Sequence, residues 1–102
     1  MTDISTTAPI VTRIPAADLG GPDRAVFERC SEAAVAALAG AAGDGFRMTS
    51  LSLDVASHSL GEGAVEVAAR VDKRTGMIVF ASVEARSAGR MVFSGQGLFC
   101  RG

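Results

Sequence analysis

The chain has 102 residues, 48% of them hydrophobic, and a formal net charge of −1 at neutral pH. Such apolar content excludes a disordered polymer, and the length leaves room for one core, so a single domain spanning residues 1–102 is expected. The basic residues are scattered, without a basic stripe interleaved with aromatics, which argues against nucleic acid, and no apolar run approaches membrane-spanning length.

Residues 1–7 are polar, so a frayed start is expected, and residues 8–14 (APIVTRI) read as a short strand. Gly20-Gly21-Pro22-Asp23 is a breaker run ending in a good N-cap residue. From residue 24 to about residue 39 nothing interrupts helical propensity. Phe27, Cys30, Ala34, Leu38 and Ala41 are spaced as one apolar stripe. Residues 33–39 (AAVAALA) are apolar all round, which predicts burial of the second half of the helix inside the protein or at a subunit interface. Charge is confined to the first half, at Arg24, Glu28, Arg29 and Glu32.

Four strands follow. In residues 46–57, Leu51, Leu53 and Val55 alternate with Ser50, Ser52 and Asp54. In the next strand, Val65, Val67, Ala69 and Val71 alternate with Glu66, Arg70 and Asp72. Residues 77–86 and 91–100 are apolar on both sides in their first halves, which predicts partial cover on both faces. Lys73-Arg74-Thr75-Gly76 and Ser87-Ala88-Gly89-Arg90 each offer a glycine for a positive φ in a hairpin, and residues 58–63 form a looser connection. No connection is long enough for a crossover, so the sheet is antiparallel and the class α+β. Gly95-Gln96-Gly97 has no following helix to make a phosphate loop, and reads as a bulge or a close backbone approach.

Cys30 and Cys100 lack metal-ligand spacing and read as buried reduced thiols, which fits a cytoplasmic protein, as does the absence of a signal-peptide pattern. No motif calls for a metal or a cofactor. Ser31 and the hydroxyls of residues 49–52 lack a nucleophile elbow. His58 falls in a turn. Arg86, Arg90 and Arg101, near strand ends, offer either a phosphate contact or solvated end charges. A small domain with an alanine-rich core and an apolar helix end gains from association, so an oligomer is expected.

One helix followed by an antiparallel meander resembles the hotdog fold, and residues 25–102 are similar to the small acyl-CoA thioesterases of the phenylacetate-pathway type. The likeness is carried by residues 50–71 (SLSLDVASHSLGEGAVEVAARV), where a strand ends at acidic Asp54, and by residues 74–99, a hairpin with a glycine-rich last strand. The resemblance implies an antiparallel sheet wrapped around one central helix, hydrolysis of an acyl-CoA thioester without a cofactor, and a homodimer or dimer of dimers with the substrate at the subunit interface. It also implies a helix carboxylate as nucleophile or base, with the thioester oxygen polarised by N–H groups at a helix start. Aligned from Asp54, that acid falls on Glu32. Aligned from Gly20-Gly21 as the end of the family's His-Gly-Gly motif, it falls on Glu28. The strand-anchored match is longer and favours Glu32, with Gly20, Gly21, Asp54, Arg86 and Arg90 as substrate contacts. Leu19 stands where the motif has histidine, and glutamate replaces aspartate. A hotdog protein that binds an acyl or other ligand without turnover is therefore the alternative, and a lyase using His58 a more distant one.

Overall fold

A computed structural model describes residues 9–19, 23–56 and 63–102. The frayed start, Gly20 and Gly21, and His58 lie outside the described residues. Among those described, strand β1 (Ile10–Pro15) leads through a 3-10 turn (Ala16–Leu19) to helix α1 (Asp23–Ala42). Strands β2 (Phe46–Val55), β3 (Ala64–Arg74), β4 (Ile78–Ser87) and β5 (Arg90–Arg101) follow. They form one five-stranded antiparallel sheet in the order β1-β3-β4-β5-β2, with α1 against one face. This is the α+β arrangement expected from the sequence.

The helix runs past residue 39 because Ala41 and Ala42 continue its propensity, and it stops where Gly43 supplies a left-handed residue at φ 89°. Gly43 N–H still donates to Ala39 O at 3.1 Å. The last turn of α1 carries no basic residue of its own. Instead Arg74, from the end of β3, donates from Nη2 to Ala42 O at 2.9 Å and to Ala41 O at 3.4 Å, and so supplies cationic partners to the exposed carbonyl end of the helix.

The core lies between the helix and the inner face of the sheet. The buried ridge is Val26, Cys30, Ala34, Leu38 and Ala42, a strict spacing of four; Cys30, Ala34 and Leu38 of the expected stripe lie in it, while its ends at Phe27 and Ala41 do not. Phe27, one position on, is turned about 100° round the helix axis and is 49% exposed, and Ala41 is only half-buried. Nor is the second half of the helix buried on every side: Val35, Ala36, Ala39 and Gly40 are exposed in the single chain. Facing the ridge are Val65, Val67 and Ala69 of β3, Val79, Ala81, Val83 and Ala85 of β4, and Phe93 and Phe99 of β5.

Cover on both faces of β4 is likewise not seen. Its inner residues are buried, but Phe80, on the outer face, is 40% exposed and Met77, just before the strand, 65%. In β5 two successive buried residues, Val92 and Phe93, arise from a bulge at Val92, where the register against β4 shifts. Further bulges stand at Thr49 in β2 and Asp72 in β3. Each extra residue bends its strand and increases its twist, which curls the sheet round the helix.

Gly95 and Gly97 lie at the inner middle of β5. A Cβ on Gly97 would stand 3.2 Å from Leu38 Cδ1 and from Phe99 Cε1, so the glycine lets the helix ridge settle against the sheet. A Cβ on Gly95 would meet the Ser52 carbonyl oxygen at 2.7 Å, which backbone must move to avoid. The close-approach reading of this segment therefore holds, and the bulges stand elsewhere.

The two hairpins are built differently. Gly76 does not take a positive φ; the β3–β4 turn is held by Thr75, whose Oγ1 accepts from Ile78 N at 3.0 Å and Met77 N at 3.2 Å, while its N–H donates to Ile78 O at 2.8 Å. In the β4–β5 turn both Ala88 (φ 51°) and Gly89 (φ 79°) are left-handed between the paired residues Ser87 and Arg90, a type I′ geometry.

Two stability outcomes follow from this geometry. Gly95→Ala is expected to cost about 2–3 kcal/mol and Gly97→Ala about 1 kcal/mol, since flexible side-chain ends yield more readily than backbone; urea unfolding measures both. Ala88→Asn is expected to stabilise the domain by about 0.5–1 kcal/mol by relieving a left-handed alanine, read as a higher urea midpoint at unchanged slope.

Candidate functional site

Glu28 and Glu32 stand one turn apart on the helix face turned away from the sheet, and both are exposed. They line an open depression of about 580 Å³ together with Ala25, Phe27, Arg29 and Ser31. Ser31 is turned back on the helix, its hydroxyl donating to Phe27 O at 2.9 Å, so it is a helix-bonded hydroxyl rather than a poised nucleophile. The depression thus presents two carboxylates beside an exposed phenyl ring, a combination able to hold an apolar group next to a potential base.

The other expected contacts lie elsewhere. Asp54, near the end of β2, points from the outer face of the sheet, in register with Ser94 of β5, which is in turn paired with Glu84 of β4. Arg86 is on the same face, its Nη2 3.4 Å from Glu84 Oε1, and Arg90 is exposed at the β4–β5 turn. The sheet therefore separates Asp54 and Arg86 from Glu28 and Glu32 within one chain. Leu19, which the resemblance sets at the position of the family's histidine, is buried in the core.

The outer face also carries a shallow polar groove of about 470 Å³, which includes Asp54, Arg70, Asp72, Ser82, Glu84 and Gln96. Ser82 Oγ donates to Asp72 Oδ1 at 3.1 Å, and Arg70 Nε lies 3.5 Å from the same oxygen. Its signal in the sequence is the polar half of the alternation in all four later strands. Beyond it, Arg13, Glu66 and Arg86 lie in register across β1, β3 and β4 as alternating charges, with Arg13 Nη2 3.1 Å from Glu66 Oε2. These pairs are exposed and contribute little stability each. Among the described residues no group of three acidic, histidine or cysteine side chains is placed to hold a metal ion, and no helix is long and apolar enough to cross a membrane.

The cysteines differ. Cys30 is fully buried on the sheet-facing side of the helix, and burial pushes its thiol above the ordinary range. Cys100 is only half-buried, on the outer face, its Sγ 3.9 Å from Thr49 Oγ1. Cys100 is therefore expected to react with a thiol reagent in the folded protein, while Cys30 reacts only on unfolding; mass spectrometry of a labelling time course checks the order.

No protein-family model matches the sequence, and no curated protein does. Among solved structures, the conserved protein PA5202 from Pseudomonas aeruginosa superposes with a TM-score of 0.64 at 17% identity, over 92% of this chain and 86% of that one. A hot-dog-like protein from Thermanaerovibrio acidaminovorans does so with a TM-score of 0.58 at 16% identity, over 94% and 83%. At such identities the likeness shows the fold and not the chemistry. One helix against a curled five-stranded antiparallel sheet, with these neighbours, is the hotdog fold.

Proposed function

We propose that the protein is a thioesterase that hydrolyses an acyl-CoA thioester, with Glu32 as its catalytic carboxylate and a second copy of the chain completing the site. The observation that carries this reading is the position of Glu32: an exposed carboxylate on the central helix of a hotdog fold, beside an open depression that includes Phe27. In the reaction Glu32 takes a proton from water as the water oxygen adds to the thioester carbonyl. Collapse of the tetrahedral intermediate breaks the carbon–sulfur bond, and the thiolate leaves to be protonated as free CoA. The negative oxygen of the intermediate calls for N–H donors such as those at a helix start, with Gly20 and Gly21 as candidates on sequence grounds alone.

The second copy is supported by the asymmetry of the two sheet edges. Edge strand β1 is six residues long and bracketed by Pro9 and Pro15, devices that discourage further pairing. Edge strand β2 has ten residues, no proline or lysine, and charges only at Arg47 and Asp54. Antiparallel pairing of β2 with its counterpart would give one continuous sheet and bring a second helix alongside the first. The exposed apolar outer side of α1, Phe27, Val35, Ala36 and Ala39, then has a natural cover. Exposed Phe80 on the outer sheet face offers a further contact for a dimer of dimers.

A second reading is favoured by one observation, the buried Leu19 where the thioesterase motif has histidine. On that reading the protein binds an acyl ligand without turnover. A panel of acyl-CoA thioesters assayed with a free-thiol dye separates the two. The expected outcome is hydrolysis, with Glu32→Gln lowering turnover at least about a hundredfold while dimer mass by light scattering is unchanged, and Glu28→Gln lowering it far less. A large loss with Glu28→Gln alone would move the role to Glu28, and binding without turnover would establish the second reading.

A further inference from the structure

The bonds within the sheet identify which backbone groups of β2 point to its open edge. Ala56 N–H donates to Val92 O at 2.8 Å, and Val55 lies opposite Phe93. Ser52 O also faces β5, since it stands 2.7 Å from where a Cβ on Gly95 would be. Backbone groups alternate in direction along an antiparallel strand. Ser52, Asp54 and Ala56 therefore bond β5, while the N–H and C=O of Leu51, Leu53 and Val55 point outward. The register against β5 is unbroken from Ser50 to Val55, and the bulge at Thr49 bends the strand just before it. The edge open to a partner is thus short and carries these three outward residues. On the β1 edge, Ala16 N–H donates to Gly63 O at 2.8 Å with Pro15 opposite Ala64, so the outward residues are Val11, Arg13 and Pro15. Pro15 has no N–H to offer and Arg13 is charged, which leaves β2 as the edge suited to pairing.

A second copy related by a two-fold axis normal to the sheet keeps inner side chains beside inner ones only if outward residues meet outward residues. With the axis at Leu53, that residue meets its own counterpart and Leu51 meets Val55 in both directions, so every outward group is bonded. An axis at Ser52 sets Val55 against the bulge at Thr49, and an axis at Asp54 sets Leu51 against the chain beyond Ala56. Placing it at Leu51 or Val55 bonds fewer groups still. The Asp54 axis also brings two like charges opposite each other. At Leu53 each Asp54 instead stands opposite Ser52 of the other copy, whose hydroxyl can donate to the carboxylate. Neither side chain has a hydrogen bond or ion pair within the chain among the described residues. On the inner face Leu51, Leu53 and Val55, each half-buried in the single chain, then form one apolar run across the axis.

We infer that β2 pairs with β2 of a second copy in the register that places Leu53 on the two-fold axis, with each Asp54 accepting a hydrogen bond from Ser52 of the other copy. This register rests on the pairing of β2 proposed above, and not on catalysis by Glu32.

Positions 52 and 54 of opposite copies then form a non-hydrogen-bonded pair with Cα atoms about 4.5 Å apart, a separation that a disulfide bridges. Two copies of position 52, or of position 54, lie more than about 7 Å apart and cannot be bridged. The test is mild oxidation of Ser52→Cys, of Asp54→Cys and of the two refolded together, each in a Cys100→Ser background, read on a non-reducing gel beside light scattering. Both substituted side chains are exposed, and Cys30 is buried away from the reaction. The expected result is a dimer mass throughout and a cross-linked dimer in the mixture alone. Cross-linking of Ser52→Cys by itself would move the axis to Ser52, and of Asp54→Cys by itself to Asp54; either overturns the register at Leu53. A dimer that the mixture does not cross-link overturns it too, and a monomer mass for Cys100→Ser removes the pairing altogether. A cross-linked mixture, in a protein whose unsubstituted form hydrolyses no acyl-CoA, would keep the register and lose the catalytic reading. Turnover without the cross-link would do the reverse.

Discussion

The structure depends on how closely one helix can approach the middle of the sheet. The ridge Val26, Cys30, Ala34, Leu38 and Ala42 has only two side chains larger than cysteine, and the surface beneath it is set by Ala69, Ala81, Ala85, Gly95 and Gly97. Small residues on both sides reduce the gap, and the larger groups Leu38, Phe93 and Phe99 fill the spaces that remain, each contributing about 1.5–3 kcal/mol through burial. A sheet that must curl round so narrow a helix needs local bends, and the bulges at Thr49, Asp72 and Val92 provide them in three different strands. Thr49 also satisfies its own irregularity, since its hydroxyl donates to Leu98 O at 3.1 Å. Composition, curvature and packing are one constraint seen at three scales.

That constraint also determines what is left over. A ridge with spacing four occupies only one side of a 20-residue helix, and the other side is apolar wherever alanine and valine continue through residues 33–39. The carboxylates Glu28 and Glu32 sit at the polar margin of that outer side, so the candidate catalytic groups and the surface suited to a second subunit occupy one continuous face. In an isolated chain Glu32 is exposed to water, and in the proposed function a second subunit would cover it. Association and chemistry are therefore coupled in the proposed function.

The sheet was largely legible in the sequence, because period-two alternation survives in β2 and β3 and the turns carry glycine between them. The helix was legible as a helix, but its buried face was not. Adjacent Val26 and Phe27 are both apolar, and a pattern of threes and fours admits either; only packing against the small-residue floor of the sheet decides for Val26 and Ala42 over Phe27 and Ala41. The hairpins show a similar limit. A glycine in a four-residue turn signals a turn without specifying which residue takes the positive φ, and at residues 73–76 a threonine side chain does the work assigned to glycine. The apolar runs starting β4 and β5 had two sources that periodicity cannot separate: an uncovered outer face at Phe80 and a bulge at Val92.

The candidate site was legible only residue by residue. Glu28 and Glu32 share a helix face by arithmetic, and the structure brings them to one depression. Asp54 and Arg86 share a pattern with the thioesterases in sequence, but strand alternation sends them to the opposite side of the sheet. In the proposed function, any contact they make with a substrate at Glu32 comes from another copy of the chain. The arginines at the helix C-terminus show the converse case. Arg74 and Arg101 are far apart in the chain and neither completes a motif. They converge because the sheet curls far enough to bring the end of β3 and the end of β5 over the first residue of β2. The same curvature that seats the helix thus brings positive charge to a helix end whose own last turn carries no basic residue.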